Sequence, residues 1–259
     1  MAILAGITAL LAGALMAGWS YFLDFEPSTA RYPVRGIDAS HHQGAIDWGA
    51  LGQAGVHFAY MKATEGGDFR DPRFRHNWTA AARAGIARGA YHFFTFCRPG
   101  AAQARNFIAA VPVAKDALPP AIDLEYGGNC AKRPARAALI KQIRAFVDAV
   151  EKRYKVKPIF YVTKSFHDDY LKGEFTAYPF WVRSLLFTPE FGDRAWLIWQ
   201  YHNRGRRDGI KGPVDLNVFK GTKAAFKRWH RTGAWQPKAG PAPVVPVHKP
   251  RAKAPAARR

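Results

Sequence analysis

The sequence predicts an α/β fold: a modified TIM-like (β/α) barrel of eight strands with fewer than eight helices. Short apolar, β-rich runs alternate with helical patterns, as in a parallel sheet. Eight such runs fall within about 185 residues, short of a full eightfold set of helices. Acidic residues collect near the ends of the runs, where parallel barrels carry their chemistry. The first strand is 35–40, and a helix 48–54 follows, N-capped by Asp47. Next come a strand at 57–64 and a helix 77–84 that stops at Gly85, a residue suited to the left-handed turn after a helix. A strand at 89–95, a helix at 100–110 and a strand at 120–126 continue the pattern. The helix 134–154 carries Leu139, Ile143, Phe146, Val147 and Val150 at helical spacing. Strands at 158–163, 180–184, 197–202 and 214–219 complete the barrel.

The barrel region is 34–235, preceded by a linker at 24–33. Residues 2–23 carry no charge, and those 22 residues are long enough to span a bilayer as a helix. They are expected to be a signal peptide or an N-terminal membrane anchor. Either places the barrel outside the cytoplasm, periplasmic or secreted. Residues 236–259 hold Pro, Ala, Lys and Arg without an acid, and are expected to be a disordered basic tail.

The chain has 39 Lys and Arg against 19 Asp and Glu, a net charge of +20, of which the tail supplies six. Such a surplus fits a polyanionic neighbour: nucleic acid, an acidic membrane face or an anionic wall polymer. Nucleic acid is set aside, because there is no zinc-ligand spacing, Walker loop or basic recognition helix. Cys97 and Cys130 each follow a strand. If those strands are neighbours, an export route would allow a disulfide; two free buried thiols are the alternative.

The most informative stretch is Ala121-Ile122-Asp123-Leu124-Glu125. On a strand, residues two apart share a face, so Asp123 and Glu125 would lie side by side. Two close carboxylates cannot both ionise cheaply, and one then keeps its proton to higher pH. An acid beside a charged carboxylate is a glycosidase-type pair. Asp38 and Asp215 also mark strand ends. The first and last strands of a closed barrel are neighbours, so these two could join the pair. A metal site is a competitor, but no Asp-x-Asp-x-Asp-Gly loop is present. No metal or cofactor is expected. Among the aromatic residues that mark strands, Tyr60, Tyr91, Tyr126, Tyr161, Trp199 and Tyr201 are candidates to stack on a sugar ring, with core packing as the alternative for each.

The ordered fragments resemble those of glycoside hydrolase family 25 lysozymes, the Chalaropsis-type muramidases. They run from Gly36-Ile37-Asp38-Ala39-Ser40-His41-His42-Gln43 through Tyr60-Met61-Lys62-Ala63-Thr64-Glu65-Gly66 and Asp71-Pro72-Arg73-Phe74. They continue with Gly89-Ala90-Tyr91-His92-Phe93, Asp123-x-Glu125, Trp199-Gln200-Tyr201 and Val214-Asp215-Leu216-Asn217. The resemblance implies hydrolysis of the β-1,4 bond between N-acetylmuramic acid and N-acetylglucosamine, with retention. It implies Glu125 as general acid, Asp123 as the residue that stabilises a substrate-assisted intermediate, and Asp38 and Asp215 as positioning acids. Gln200 falls in a matched fragment and is a candidate substrate contact. Many relatives read Trp-x-Ala-x-Tyr where this chain has Trp181-Val182-Arg183-Ser184-Leu185. Arg183 could face the groove and meet a substrate carboxylate, or point to solvent. The expected partner is the peptidoglycan glycan strand, bound by a monomer, with membrane contact only through an uncleaved first segment. A wall-binding protein without turnover and a chitin-type hydrolase are the alternatives.

Overall fold

The computed structural model describes residues 25–185, 187–190 and 195–234, with 7, 10–13, 15, 16 and 18. The tail 236–259 and most of segment 1–23 lie outside the described residues. Among the described residues, no helix is long and apolar enough to cross a membrane.

All eight expected strands are present: β1 (Arg35–Ala39), β2 (Val56–Glu65), β4 (Ala87–Phe93), β5 (Ala121–Leu124), β6 (Ile159–Thr163), β7 (Phe180–Arg183), β8 (Trp196–Gly205) and β9 (Val214–Phe219). A short β3 (Phe69–Arg70), not foreseen, folds back on the end of β2. The order β1-β9-β8-β7-β6-β5-β4-β2 closes through a β1–β2 pairing into a barrel. The sheet is mixed and not wholly parallel, because β9 runs antiparallel to both β1 and β8. The connection 206–213 is too short for a crossover helix, so β9 must return as a hairpin partner of β8.

The helices are α1 (Trp48–Gln53), α2 (Phe74–Arg83), α3 (Gly100–Ala110), α4 (Arg136–Tyr154), α5 (Lys164–Phe166, continuing as a π-turn His167–Leu171) and α6 (Lys223–Thr232). Asp47 caps α1 by accepting from the Ala50 N–H. Gly85 follows α2 with φ of 72°, the left-handed conformation anticipated there. The last two helices were not anticipated. The signal for α6 is its caps: Thr222 accepts from the Ala225 N–H, and Gly233 takes a left-handed φ.

Alternation along each strand divides the core. Outward residues such as Ile37, Ile122, Leu124, Phe160 and Val182 meet the helices in one large cluster. Inward residues fill the barrel floor: Phe58, Tyr60, Ile159, Ile198 and Phe219, closed from below by Phe226 and Trp229 of α6. Glycines make room for the large rings. A Cβ on Gly36 would lie 2.3 Å from the Phe58 ring, and one on Gly89 would lie 2.3 Å from the Tyr60 ring. The neighbouring β4 and β5 place Cys97 and Cys130 at the same end of the barrel, where they form a disulfide across a separation of 33 residues.

Candidate active site

The pocket is the upper layer of the barrel interior, and inward parity selects its residues. On β5, Ala121 and Asp123 point inward while Ile122 and Leu124 point out, and Glu125 follows in the inward phase. By the same rule β1 contributes Asp38, β4 Tyr91, β6 Tyr161, β7 Trp181 and Arg183, β8 Gln200 and β9 Asp215. These residues line an open recess of about 230 Å³. The structure therefore brings together all four sequence-identified acids and three of the flanking candidates, Tyr91, Tyr161 and Gln200, as well as Arg183.

Asp38 and Asp215 are direct cross-strand partners on β1 and β9. The Asp38 Oδ2 accepts from Gln200 Nε2 at 2.9 Å and from Asn217 Nδ2 at 2.7 Å. Gln200 in turn accepts from the Tyr161 hydroxyl at 2.9 Å, and Asn217 accepts from the Trp181 indole N–H at 2.7 Å. Both amide orientations are thereby fixed, and each presents its NH₂ to Asp38. Burial pushes the Asp38 carboxyl above its usual range, while the bonds from Asn217 and Gln200 pull the other way. Burial also pushes Asp215 up to about 9, reinforced by the charge of Asp38 and a hydrogen bond to it. Asp215 thus keeps its proton at neutral pH and donates it toward Asp38.

Asp123 lacks such support. It is 7% exposed, and its Oδ1 is buried without a hydrogen-bond partner. Burial raises its pKa well above the usual carboxylate value, and the neighbouring Glu125 and Asp38 raise it further. A buried carboxyl oxygen without a partner is costly to the fold. Glu125 sits nearer the mouth. Burial raises its pKa, opposed first by Arg183, whose Nη1 lies 3.2 Å from Glu125 Oε2. Lys62 on β2 also acts on both Asp123 and Glu125 and favours their charged forms. The result is a carboxyl whose pKa is raised beside a second, more deeply buried carboxyl with one oxygen unpaired.

Four aromatic candidates lie elsewhere. Trp199 and Tyr201 flank Gln200, so parity turns both outward, where they pack with Phe25 and, for Trp199, with Tyr32 and Trp196. Tyr60 has inward parity but lies one layer too low; its hydroxyl donates to the Pro119 carbonyl at 2.9 Å in the barrel floor. Tyr126 lies beyond the rim, with its hydroxyl donating to Asp169 at 2.6 Å. Sequence reasoning missed Lys62, Trp181, Asn203 and Asn217 as site residues. Trp181 and Asn217 stand two positions from Arg183 and Asp215, so strand parity alone could have found them. Other signature residues hold loops. Ser40 and Gln43 form a capping box after β1, and His41 binds Asp71 at 2.9 Å through its ring. Among the described residues no group of three or more His, Cys, Asp or Glu is arranged to hold a metal ion.

Comparison with known proteins agrees with this geometry. The sequence matches Glycosyl hydrolases family 25 over residues 37–210. It is 38% identical over 199 residues to an uncharacterized protein, YegX, of Escherichia coli O6:H1, covering 74% of this chain and 72% of that one. It is 37% identical over 209 residues to Lysozyme M1 of Streptomyces globisporus, covering 74% and 69%. The fold superposes on a family 25 glycosyl hydrolase from Bacillus anthracis with a TM-score of 0.74 and 39% identity, covering 78% of this chain and 95% of that one. An eight-stranded barrel of this kind, matched across two-thirds of its length, establishes that the chain belongs to glycosyl hydrolases family 25 and is a glycoside hydrolase.

Proposed function

We propose that the protein is a peptidoglycan hydrolase of the lysozyme type, cutting the β-1,4 bond between N-acetylmuramic acid and N-acetylglucosamine with net retention. The observation that carries this reading is Asp123: a buried carboxyl with one oxygen unpaired, beside a second carboxyl that burial inclines to hold a proton. Glu125 gives its proton to the glycosidic oxygen as the C1–O bond breaks. The 2-acetamido oxygen of the same sugar closes on C1 from the opposite face. Asp123 orients that acetamido group and stabilises the positive charge that develops on it. Water then opens the ring intermediate, with Glu125 taking back a proton, so the anomeric configuration is retained. Asp38 and Asp215 share a proton and, through Gln200 and Asn217, hold the floor of the site. Tyr91 and Tyr161 line the wall of the recess, and the Trp181 indole holds Asn217 beneath it.

The recess is smaller than a cavity that encloses a drug-sized ligand, so a polymer would lie across its mouth with one unit dipping in. A wall polymer outside the cytoplasm fits the disulfide, which persists in oxidising compartments. The net charge of +20 suits a wall that bears carboxylates, and binding to it should weaken as salt rises. Mass spectrometry of soluble products from purified sacculi tests the assignment. Reducing N-acetylmuramic acid ends, first appearing as the β-anomer by proton NMR, are expected. Reducing N-acetylglucosamine ends, first-formed α-anomers, or release from chitin oligomers alone would refute it.

A further inference from the structure

The ion pair between Arg183 and Glu125 works against a proton-donating role for Glu125, although burial is the larger effect and leaves its pKa raised. A cation on a carboxylate oxygen favours the charged form, and the donor must be the neutral one. The remaining charged and titratable groups facing Glu125 are Asp38 on β1, Lys62 on β2, Asp123 on β5, Tyr161 on β6 and Asp215 on β9. Asp38 opposes its ionisation, and Lys62 acts with Arg183.

We propose that Arg183 exchanges partners during binding: in the free enzyme it holds Glu125 as a carboxylate, and a glycan bearing a carboxylate draws it away and leaves Glu125 to take up the proton it donates. This rests on the hydrolase reading above and names how that site recognises an acidic substituent. The position of Arg183 at the edge of the pocket suits this role. Arg183 is the last residue of β7, and the next residue, Ser184, donates its N–H to the Gln200 carbonyl at 3.1 Å. The Arg183 side chain is 38% exposed against 18% for Glu125, so the guanidinium stands at the mouth and meets an incoming chain first. The contact to Glu125 is made through Nη1 beside a hydrogen bond with Tyr161, whereas a guanidinium offers five donors in a plane that matches a carboxylate in bidentate fashion. A ligand carboxylate can therefore outcompete Glu125 for it. The exchange makes protonation of the acid conditional on an acidic substituent, and so discriminates against uncharged glycans such as chitin.

The test compares wild type, Arg183→Ala and Arg183→Lys on three soluble glycan substrates. These are native peptide-bearing strands, the same strands with carboxyls amidated by carbodiimide, and peptide-free strands with free lactyl carboxylates. For wild type, amidation should raise KM roughly tenfold, the order of one lost charge-assisted hydrogen bond. Arg183→Ala should show that raised KM on native strands and no further rise on amidated ones. In peptide-bearing strands the lactyl carboxyl is already an amide, so the amidation arm reads the peptide's carboxylates; peptide-free strands that bind as tightly as native ones would show that a free lactyl carboxylate serves as well, and weaker binding that only the peptide's does. The pH profiles are decisive. The alkaline limb of kcat/KM reports the free enzyme and should move to higher pH in Arg183→Ala, because the cation that favoured ionised Glu125 is gone. The alkaline limb of kcat reports the complex, where Arg183 has already left, and should stay in place. Arg183→Lys keeps the charge but not the fork, so its kcat/KM limb should remain near wild type while KM rises. It carries the test if the alanine variant fails to fold. Equal displacement of both limbs, or equal loss on native and amidated strands, overturns the exchange. A wild type that releases nothing from any strand sinks the hydrolase reading itself, whereas wild-type turnover with either of those results sinks only the exchange.

Discussion

The floor and the mouth of the barrel are built by the same strands at the same parity, and they have opposite chemistry. Below, Phe58, Tyr60, Ile198 and Phe219 interlock, glycines at 36 and 89 accommodate the rings, and the Tyr60 hydroxyl has a partner. Two residues further along, the inward positions become Asp38, Lys62 and Gln200, with Asp215 arriving from the antiparallel β9. There carboxyls are buried with raised pKa values, and Asp123 keeps an unpaired oxygen. The floor is arranged for stability. The mouth holds groups whose burial costs stability. Changes in one layer should therefore leave the other property nearly intact.

The largest separation is expected at Glu125. Replacing it with Gln should lower kcat on sacculi by about 10²–10⁴-fold, the contribution of a positioned general acid, with the melting temperature held. Phe58→Ala should do the reverse: a buried aromatic removed from the floor costs about 3–5 kcal/mol, so the melting temperature should fall sharply while the molecules that remain folded turn over normally. Denaturant unfolding and active-site titration together check this. Replacing Cys97 and Cys130 with Ser should cost about 3 kcal/mol through the longer-range freedom of the unfolded chain, visible as a lower urea midpoint.

A separate effect concerns pH. Asp215 is raised to about 9 in the fold from an ordinary value of 3.8. The folded state thus binds more protons than the unfolded state between those values, and stability falls as pH rises through that window. Asp215→Asn should flatten the decline in melting temperature between pH 4 and pH 9, the interval those two values bound. An unchanged slope would show that Asp215 is not the group responsible.

Most of the fold was legible because apolar runs and turn residues repeat with strand and helix periods. The eight strands follow from that pattern, and Gly85 and Asp47 mark helix ends through local chemistry. The antiparallel β9 was not read, although the short connection 206–213 carries the reason. Helix α6 was missed because only Phe226 and Trp229 of its residues are buried, which leaves little periodicity to detect. At the site, alternation along β5 correctly joined Asp123 to Glu125. Applied to β8, the same rule would have kept Gln200 and removed Trp199 and Tyr201. Tyr60 shows what alternation cannot supply, since height along the barrel axis decides whether an inward residue meets solvent or the floor. The Arg183–Glu125 pair joins residues 58 positions apart on β7 and at the end of β5, and only the closed barrel brings them together.

Asp123→Asn tests the contrast between the two layers most directly, with turnover on purified sacculi and melting temperature measured on the same preparation. The account predicts kcat lower by about 10²–10³-fold, as for loss of one oriented group that stabilises the transition state, with a melting temperature equal to or above wild type. A melting temperature lower by several degrees, or turnover close to wild type, would contradict it.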